Sequence, residues 1–260
     1  MTQTERVPTG IAAFDEMLSG GFLPATANLL EGAPGTGKTT IGMQFIVNGI
    51  KNFNEPGLII TFEEFPQQYY HDALQLGWDL KALEADNKLK VIFTNPETAL
   101  DEIEKLDGQF VSIIEDLGVK RVLVDSMTHF EYLAEDVGDL REIERTFVNA
   151  LKREGVASIL LRENNSLMGR MDTLTSKIPF IVDTYMLLKY VEIDSSIQKA
   201  MCVLKMRGSD HAKDIRCFRC TSHGIEVEEK FKGMEGIMSG NTHHTPQDAF
   251  VNAFGFGKKK

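Results

Sequence analysis

The chain has 260 residues, of which 42% are hydrophobic and 25% are charged, which is ordinary for a globular protein with one substantial core. The net charge of −10 makes a broad basic face for duplex DNA unexpected, so nucleic acid is not a predicted partner. No apolar run approaches the roughly 18 residues of a membrane span, the N-terminus has no signal-like stretch, and there are three cysteines. These features predict a cytoplasmic protein.

Short apolar runs alternate with longer amphipathic ones up to about residue 161, which is the pattern of a sheet covered by helices. The strands predicted in this part are Ala27–Glu31, Leu58–Phe62, Lys90–Thr94, Arg121–Asp125 and Val156–Leu161. The helices predicted between them are Thr39–Lys51, Pro66–Leu76, Ala99–Leu117 and Leu140–Glu154, and the last two end before a glycine.

The periodicity changes after Arg162. Four further strands are predicted, joined by tight turns: Ile181–Tyr190, Lys199–Arg207, Ile215–Thr221 and Ile225–Val227. We therefore expect one α/β domain over residues 1–230, with a mostly parallel central sheet flanked by helices and a C-terminal antiparallel extension. Residues 231–260, rich in Gly, His and Ser, are predicted to form a C-terminal tail.

A complete G-x-x-x-x-G-K-[ST] motif lies between a predicted strand and a predicted helix, the context that this motif requires. It consists of Gly32, Ala33, Pro34, Gly35, Thr36, Gly37, Lys38 and Thr39, and Thr40 follows in the first helical turn. The glycines let backbone N–H groups face a phosphate, and the N-terminus of the helix adds a favourable field. Lys38 is predicted to reach the β- and γ-phosphates and the Thr39 hydroxyl to bind Mg²⁺, which indicates a nucleoside triphosphatase.

Acidic residues follow two of the predicted strands. Asp125 ends the fourth strand, where a carboxylate that holds a Mg²⁺-bound water is expected beside Thr39. Glu63 and Glu64 come directly after the second strand, and a carboxylate there could orient or deprotonate the attacking water. Glu64 is also a predicted metal-site residue. The alternative for the glutamate pair is a solvated acidic loop.

Two weaker patterns are interpreted as structural. Tyr69, Tyr70 and Trp78 have helical spacing and are assigned to the core or to an interface. Cys217 and Cys220 form a lone C-x-x-C on a predicted strand, where residues three apart face opposite sides, so ordinary strand packing is favoured over a metal site.

An ordered set of motifs resembles the KaiC family of RecA-like P-loop ATPases. Besides the P-loop, the set comprises Thr9-Gly10-Ile11, Phe14-Asp15, Gly20-Gly21, Thr61-Phe62-Glu63-Glu64, Val124-Asp125-Ser126 with Thr128, and Lys205-Met206-Arg207-Gly208-Ser209 with His211. The last motif resembles the family's KMRGS-x-H and is the most particular of them. The resemblance extends over residues 7–240 and identifies the chain as a single-domain member.

The resemblance implies that ATP is held with Mg²⁺ between neighbouring copies of a homo-oligomeric ring, a hexamer. One copy would supply the P-loop and the acidic residues, with Glu63 as the general base, and its neighbour would supply Lys205 and Arg207. Since residues two apart on a strand share a face, these two cations point the same way; a solvated basic edge is the alternative. Ser209 and His211 would lie near the sugar and the base.

The chain departs from the family pattern at one point. In the family's clock proteins a Ser-Thr pair is autophosphorylated, and Pro179 and Phe180, which have no hydroxyl, occupy the matching positions. Those clock proteins are also tandems of two such domains. The sequence therefore supports ATP hydrolysis but not autokinase activity or a clock role.

The leading prediction is a regulatory ATPase that hydrolyses ATP slowly and changes its binding to a regulatory protein partner. Two other functions stay open. A RadA-like recombination ATPase that binds single-stranded DNA could use the same core, although residues 163–177 are only mildly basic. A non-catalytic module that uses ATP only to assemble would not require the glutamate pair.

Overall fold

The computed structural model describes residues 5–164, 178–231, 234–237 and 243–244. Within this part, nine strands form one sheet in the order β3-β2-β4-β5-β1-β6-β7-β8-β9. These are β1 (Ala27–Gly32), β2 (Gly57–Thr61), β3 (Leu89–Phe93), β4 (Arg121–Asp125), β5 (Ala157–Glu163), β6 (Thr184–Ile193), β7 (Ser196–Met206), β8 (Arg216–Thr221) and β9 (Gly224–Lys230). From β3 to β6 all neighbours are parallel, and from β6 to β9 they are antiparallel. The predicted parallel sheet with an antiparallel extension is confirmed.

Helices cover both faces of the sheet. They are α1 (Ala12–Met17), α2 (Lys38–Phe53), α3 (Pro66–Gln75), α4 (Leu80–Ala85), α5 (Pro96–Glu104), α6 (Gln109–Leu117), α7 (Val137–Arg153), α8 (Ile178–Ile181) and a 3-10 helix, Met127–Leu133. The first four pack with one apolar cluster, and α5 to α7 and the 3-10 helix pack with another on the opposite face. None of the helices in the described ranges is both long and apolar enough to cross a bilayer.

The prediction of one helix over Ala99–Leu117 is wrong, because the chain breaks it into α5 and α6. A Cβ atom at Gly108 would lie 1.9 Å from the carbonyl oxygen of Glu102, so only glycine fits where the chain turns back. The Glu102 carboxylate then accepts a 2.7 Å hydrogen bond from the backbone N–H of Gln109, the first residue of α6. Helical periodicity continues across this break, which is why the sequence pattern does not reveal it.

The strand predicted from Ile181 begins three residues later, at Thr184. Ile181 instead closes α8, a single helical turn. Asp183 then fixes the chain: its carboxylate accepts from the backbone N–H of Ala27 at 3.0 Å, and its carbonyl accepts from the N–H of Arg207 at 2.9 Å. The extended strand starts after these contacts.

Other differences concern short elements. β6 is as long as predicted but ends three residues later, and β7 begins three residues earlier than predicted. The two strands meet at Asp194 and Ser195, whose φ values of 50° and 61° form a tight two-residue turn. The sequence prediction missed α1, α4 and the 3-10 helix. Part of the predicted tail pairs as a two-stranded sheet of β10 (Met234–Glu235) and β11 (His243–His244).

Candidate functional site

The carboxyl ends of four parallel strands meet at one edge of the sheet. In the pairing register Gly32 at the end of β1 lies opposite Glu163 of β5, and Thr61 at the end of β2 lies opposite Asp125 of β4. A cavity of about 370 Å³ opens at this edge. Its lining residues are Pro34, Gly35, Gly37, Lys38, Thr39, Thr40, Thr61, Glu63, Glu64, Asp125, Glu163 and Cys220. One cavity therefore collects most of the predicted P-loop residues and all three predicted acidic residues.

The P-loop turns from β1 into α2 through glycines with left-handed backbone. Gly37 has φ 105° and precedes the first residue of α2, and no side chain caps this helix terminus. The N-terminal N–H groups of a 16-residue helix are thus left to a ligand on the cavity side. The carbonyl of Ala33 holds the loop together, because it accepts hydrogen bonds from Thr36 Oγ1 at 2.7 Å and from Lys38 Nζ at 3.1 Å.

The Lys38 ammonium is buried among carboxylates. Burial lowers the pKa of Lys38, and the negative charges of Glu163, Asp125, Glu31 and Glu63 oppose that shift. Lysine has three donors, and only one of them is engaged by Ala33. The ammonium can therefore turn to an anion in the cavity.

Thr39 and Asp125 are the two cavity residues that could hold a magnesium ion together. Thr39 Oγ1 donates to Asp125 Oδ2 at 2.8 Å. Burial raises the pKa of Asp125, while hydrogen bonds from Tyr69 and Thr39 and the charge of Lys38 lower it. The described residues contain no group of three or more Asp, Glu, His or Cys side chains that could hold a metal ion alone. One hydroxyl and one carboxylate suit Mg²⁺, which usually keeps several waters and takes its other ligands from phosphates.

The glutamate pair lies on the loop between β2 and α3. The loop is fixed through Thr61, whose hydroxyl donates to the carbonyl of Glu64 at 3.0 Å and accepts from the Glu64 N–H at 3.2 Å. Partial burial and the charges of Asp125, Asp72 and Glu63 raise the pKa of Glu64. Glu63 points outward, with a side chain 69% exposed and its carboxylate 3.6 Å from His129 Nε2.

The antiparallel extension also contributes to the site, which the sequence prediction missed. Lys199 Nζ donates to the carbonyl of Gly35 at 2.9 Å and lies 3.4 Å from Cys220 Sγ, and the Tyr190 hydroxyl donates to the carbonyl of Pro34 at 3.3 Å. A Cβ atom at Gly37 would approach Cys220 Sγ to 3.2 Å. No local pattern marks these residues, because β6, β7 and β8 are brought beside the P-loop only by the strand order of the sheet. Glu163 could have been found by the rule that selected Asp125, since it too ends a parallel strand.

Lys205 and Arg207 do not line this cavity. Lys205 Nζ donates to the carbonyls of Pro179 at 2.8 Å and Val182 at 2.6 Å, and Arg207 donates to that of Phe180 at 2.6 Å. Both cations thus lie together at the C-terminal end of α8. Burial, and secondarily the charge of Arg207, lowers the pKa of Lys205.

Ser209 and His211 lie beyond the same strand and also outside the cavity lining. Ser209 Oγ accepts from Arg6 at 2.8 Å and donates to the carbonyl of Asp210, and His211 Nδ1 lies 2.8 Å from the carbonyl of Ala212. Within the single copy, none of these contacts joins them to the P-loop.

Comparison with known proteins agrees with this architecture. The family profile described as "ATPase: KaiC" matches residues 7–232. The chain belongs to the KaiC family of ATPases. Among its KaiC relatives, the circadian clock protein KaiC3 of Synechocystis sp. is 31% identical over 98% of this chain and 50% of its own length. The circadian clock oscillator proteins KaiC of Synechococcus elongatus and Thermostichus vulcanus are 32% and 34% identical, over 91% and 90% of this chain and 45% of their own length.

The chain spans about half the length of the KaiC relatives that it matches. Family membership therefore establishes a KaiC-type ATPase domain with an α/β fold.

Proposed function

We propose that this chain binds ATP with Mg²⁺ at the P-loop and hydrolyses it slowly, as a regulatory ATPase that assembles into a cytoplasmic ring. One observation carries the proposal. A single cavity is lined by the P-loop lysine and threonine, by Asp125 and by both glutamates. These groups supply phosphate binding, metal binding and activation of water, which are the three requirements of phosphoryl transfer to water.

The P-loop would hold the triphosphate. The uncapped N-terminus of α2 and the Lys38 ammonium face the cavity and would bind the β- and γ-phosphates. The Thr39 hydroxyl and Asp125 would hold Mg²⁺, with Glu64 close to the ion's waters. The ion would neutralise phosphate charge when bound. It would also offset the negative charge of the carboxylates that line the cavity together with the single ammonium of Lys38. These carboxylates are those of Glu63, Glu64, Asp125 and Glu163.

Glu63 is the proposed general base. Its carboxylate projects from the cavity wall and is not bonded to the P-loop, so it can accept a proton from a water beside the γ-phosphate. Glu64 is held through its backbone to Thr61, and partial burial and the charge of Asp125 raise the pKa of its carboxyl, which suits a role beside the metal.

Lys205 and Arg207 would act on the nucleotide of a neighbouring copy. Two donors of the Lys205 ammonium are engaged by the carbonyls of Pro179 in α8 and of Val182 just after it, which leaves the third free to contact a phosphate. Arg207 also retains donors beyond those directed at Phe180 and Ile181. The α8 carbonyls would then orient both cations while the remaining donors contact the γ-phosphate across the interface, as arginine fingers do. Head-to-tail interfaces form a ring when the rotation between neighbouring copies closes, and the ring proposed here is a hexamer.

The decisive experiment measures phosphate release and native mass with and without Mg-ATP. We expect Mg-ATP to shift the wild-type chain to a hexamer. Glu63→Gln should form the same hexamer but release phosphate at least about 100-fold more slowly, the usual contribution of a general base. Glu142→Gln is the matched control, because Glu142 is an exposed residue of α7 outside the site.

Other results would overturn parts of the proposal. A wild-type chain that assembles with ATP but releases no phosphate would be a non-catalytic assembly module. Equal rates for Glu63→Gln and the wild type would remove Glu63 from its role. A chain that stays monomeric while hydrolysing ATP would contradict the trans role of Lys205 and Arg207.

A further inference from the structure

Tyr69 joins the helix after the glutamate pair to the metal-site carboxylate. It lies on α3, its side chain is 1% exposed, and its hydroxyl donates to Asp125 Oδ2 at 2.5 Å. The ring is a core residue, as its helical position predicts, but the hydroxyl reaches through the core to the edge of the site. A buried phenol needs a hydrogen-bond partner, and here that partner is a functional group.

The Tyr69 hydrogen bond decides which carboxylate oxygen of Asp125 remains available to accept a further contact. Oδ2 accepts from both Thr39 Oγ1 at 2.8 Å and Tyr69 at 2.5 Å. Two donors occupy the two lone pairs of one carboxylate oxygen, so further acceptor capacity lies on Oδ1. The carboxylate is thereby held in one orientation by donors from two different helices, α2 and α3.

The same contact fixes the start of α3. This helix begins at Pro66, two residues after Glu64, and the loop before it is bonded to Thr61 at the end of β2. The Tyr69 hydrogen bond ties α3 to β4, the strand next to β2. The loop with the glutamate pair is therefore anchored on both sides, at Thr61 and at Tyr69.

We propose that Tyr69 is a positioning residue for the magnesium–nucleotide site, whose hydroxyl orients the Asp125 carboxylate and fixes the loop with the glutamate pair against β4. The proposal rests on the function proposed above for the P-loop cavity. Tyr69 lies outside both the P-loop and the motif formed by residues 61–64.

The test compares Tyr69→Phe with Tyr70→Phe. The adjacent Tyr70 is a matched control, because its hydroxyl also donates to a carboxylate, that of Glu84, but outside the cavity. Equilibrium binding of a fluorescent, non-hydrolysable ATP analogue is titrated with Mg²⁺ for each variant and repeated in EDTA. We expect Tyr69→Phe to raise the Mg²⁺ concentration at half-saturation about tenfold, the usual effect of losing a hydrogen bond to a charged group. Binding in EDTA should change less than about twofold, and Tyr70→Phe should match the wild type in both conditions.

A double-mutant cycle shows whether the hydroxyl acts through Asp125. In an Asp125→Asn background, Tyr69→Phe should leave the Mg²⁺ half-saturation unchanged, because the carboxylate that the phenol orients is gone. An equal tenfold effect in both backgrounds would overturn the proposal. So would a Tyr69→Phe titration that matches Tyr70→Phe, or an equal loss of binding with Mg²⁺ and in EDTA, which would indicate a structural role.

Phosphate release is measured separately, so that the two proposals can fail separately. If the wild type binds the analogue with Mg²⁺ but does not hydrolyse ATP, the hydrolytic function fails and the role of Tyr69 is still decided by the titrations. If wild-type binding does not depend on Mg²⁺, both proposals are overturned.

Discussion

Thr39 and Asp125 are joined by a 2.8 Å hydrogen bond from the threonine hydroxyl to Oδ2 of the aspartate. The bond closes the first turn of α2 onto the end of β4 and holds a carboxylate at the base of the cavity. Burial raises the pKa of this carboxyl above its ordinary value, in spite of two hydroxyl donors and the nearby Lys38. In the nucleotide-free protein, ionised Asp125 therefore lowers the free energy of unfolding, as functional groups often do.

Asp125→Asn should raise the thermal midpoint of the nucleotide-free protein at pH 7. The folded-state pKa of Asp125 lies above the ordinary 3.8, so the folded chain binds this proton more tightly than the unfolded chain. The cost of ionisation is complete above the folded-state pKa and disappears as the pH falls through it towards 3.8. The gain from Asp125→Asn should therefore shrink as the pH is lowered from 7 to about 4.

Thermal unfolding in a pH series without nucleotide measures this effect. Asp116→Asn controls for the change of charge, because Asp116 lies exposed on α6. A gain that stays the same at every pH, or a loss of stability at pH 7, would contradict the argument.

The sequence predicts those parts of the site that depend on parallel strands. Asp125 ends such a strand and Glu63 lies two residues beyond another. Because the carboxyl ends of parallel strands share one edge, the proximity of both residues to the P-loop could be inferred. Cys220 and Lys199 could not be placed in this way, because their position depends on the pairing of β7 and β8 far along the chain. For Tyr69, helical periodicity predicts that the ring is buried, but it does not predict that the hydroxyl contacts Asp125.

The same distinction applies to the fold. The change from parallel to antiparallel pairing could be inferred from the change of period after Arg162, whereas the strand order could not. Neither could the break at Gly108, because it depends on the close approach of the Glu102 carbonyl, which exists only once the chain has turned. The start of β6 likewise depends on contacts of Asp183 with β1 and with the residue after β7.

Mixed rings should show whether Arg207 acts across an interface. Glu63→Gln and Arg207→Ala should each release phosphate very slowly, the latter by loss of a cation that can be worth on the order of 1000-fold. In an equimolar mixture that exchanges subunits, about a quarter of the head-to-tail interfaces would pair an intact Glu63 with an intact Arg207. We therefore expect phosphate release to recover to roughly that fraction of the wild-type rate.

The matched control is a mixture of Glu63→Gln with Lys38→Ala. Both of these changes lie on the same side of the interface, so no combination restores a complete site and no recovery is expected. Native mass spectrometry confirms that subunits have mixed. If mixed rings form and the first mixture stays inactive, Arg207 does not serve the neighbouring site.

Gly49→Ala should destabilise the fold although alanine favours helices. Gly49 lies in α2, where a Cβ atom would come within 2.2 Å of Cδ and 2.3 Å of Nε of Arg121. Arg121 cannot move away easily, because it is fully buried and its Nε donates to Glu55 at 2.6 Å. The overpacking should cost about 1–3 kcal/mol, more than the gain of up to about 1 kcal/mol in helix propensity.

Urea unfolding of the nucleotide-free protein measures the change. Asn52→Ala is the control in the same helix: Asn52 is exposed, so only the gain in helix propensity, about 0.5 kcal/mol, is expected. Equal stabilisation by both alanine substitutions would mean that Arg121 can be displaced without cost.

Cys220 should report on occupancy of the cavity through its reaction with iodoacetamide. It is exposed and lines the cavity beside the P-loop, whereas burial raises the pKa of Cys202 to about 11, and burial together with Glu228 raises that of Cys217. Because the thiolate is the reactive form, Cys220 should be modified first near pH 7.5, and bound Mg-ATP should slow its modification. Peptide mass spectrometry over time, with and without Mg-ATP, follows all three thiols in one sample.

Lys38→Ala should abolish the protection, since it removes the phosphate-binding ammonium while leaving the thiol in place. If Cys220 reacts equally fast in wild-type protein saturated with Mg-ATP, the nucleotide does not cover the end of β8, and the part of the cavity formed by the antiparallel extension lies outside the binding site.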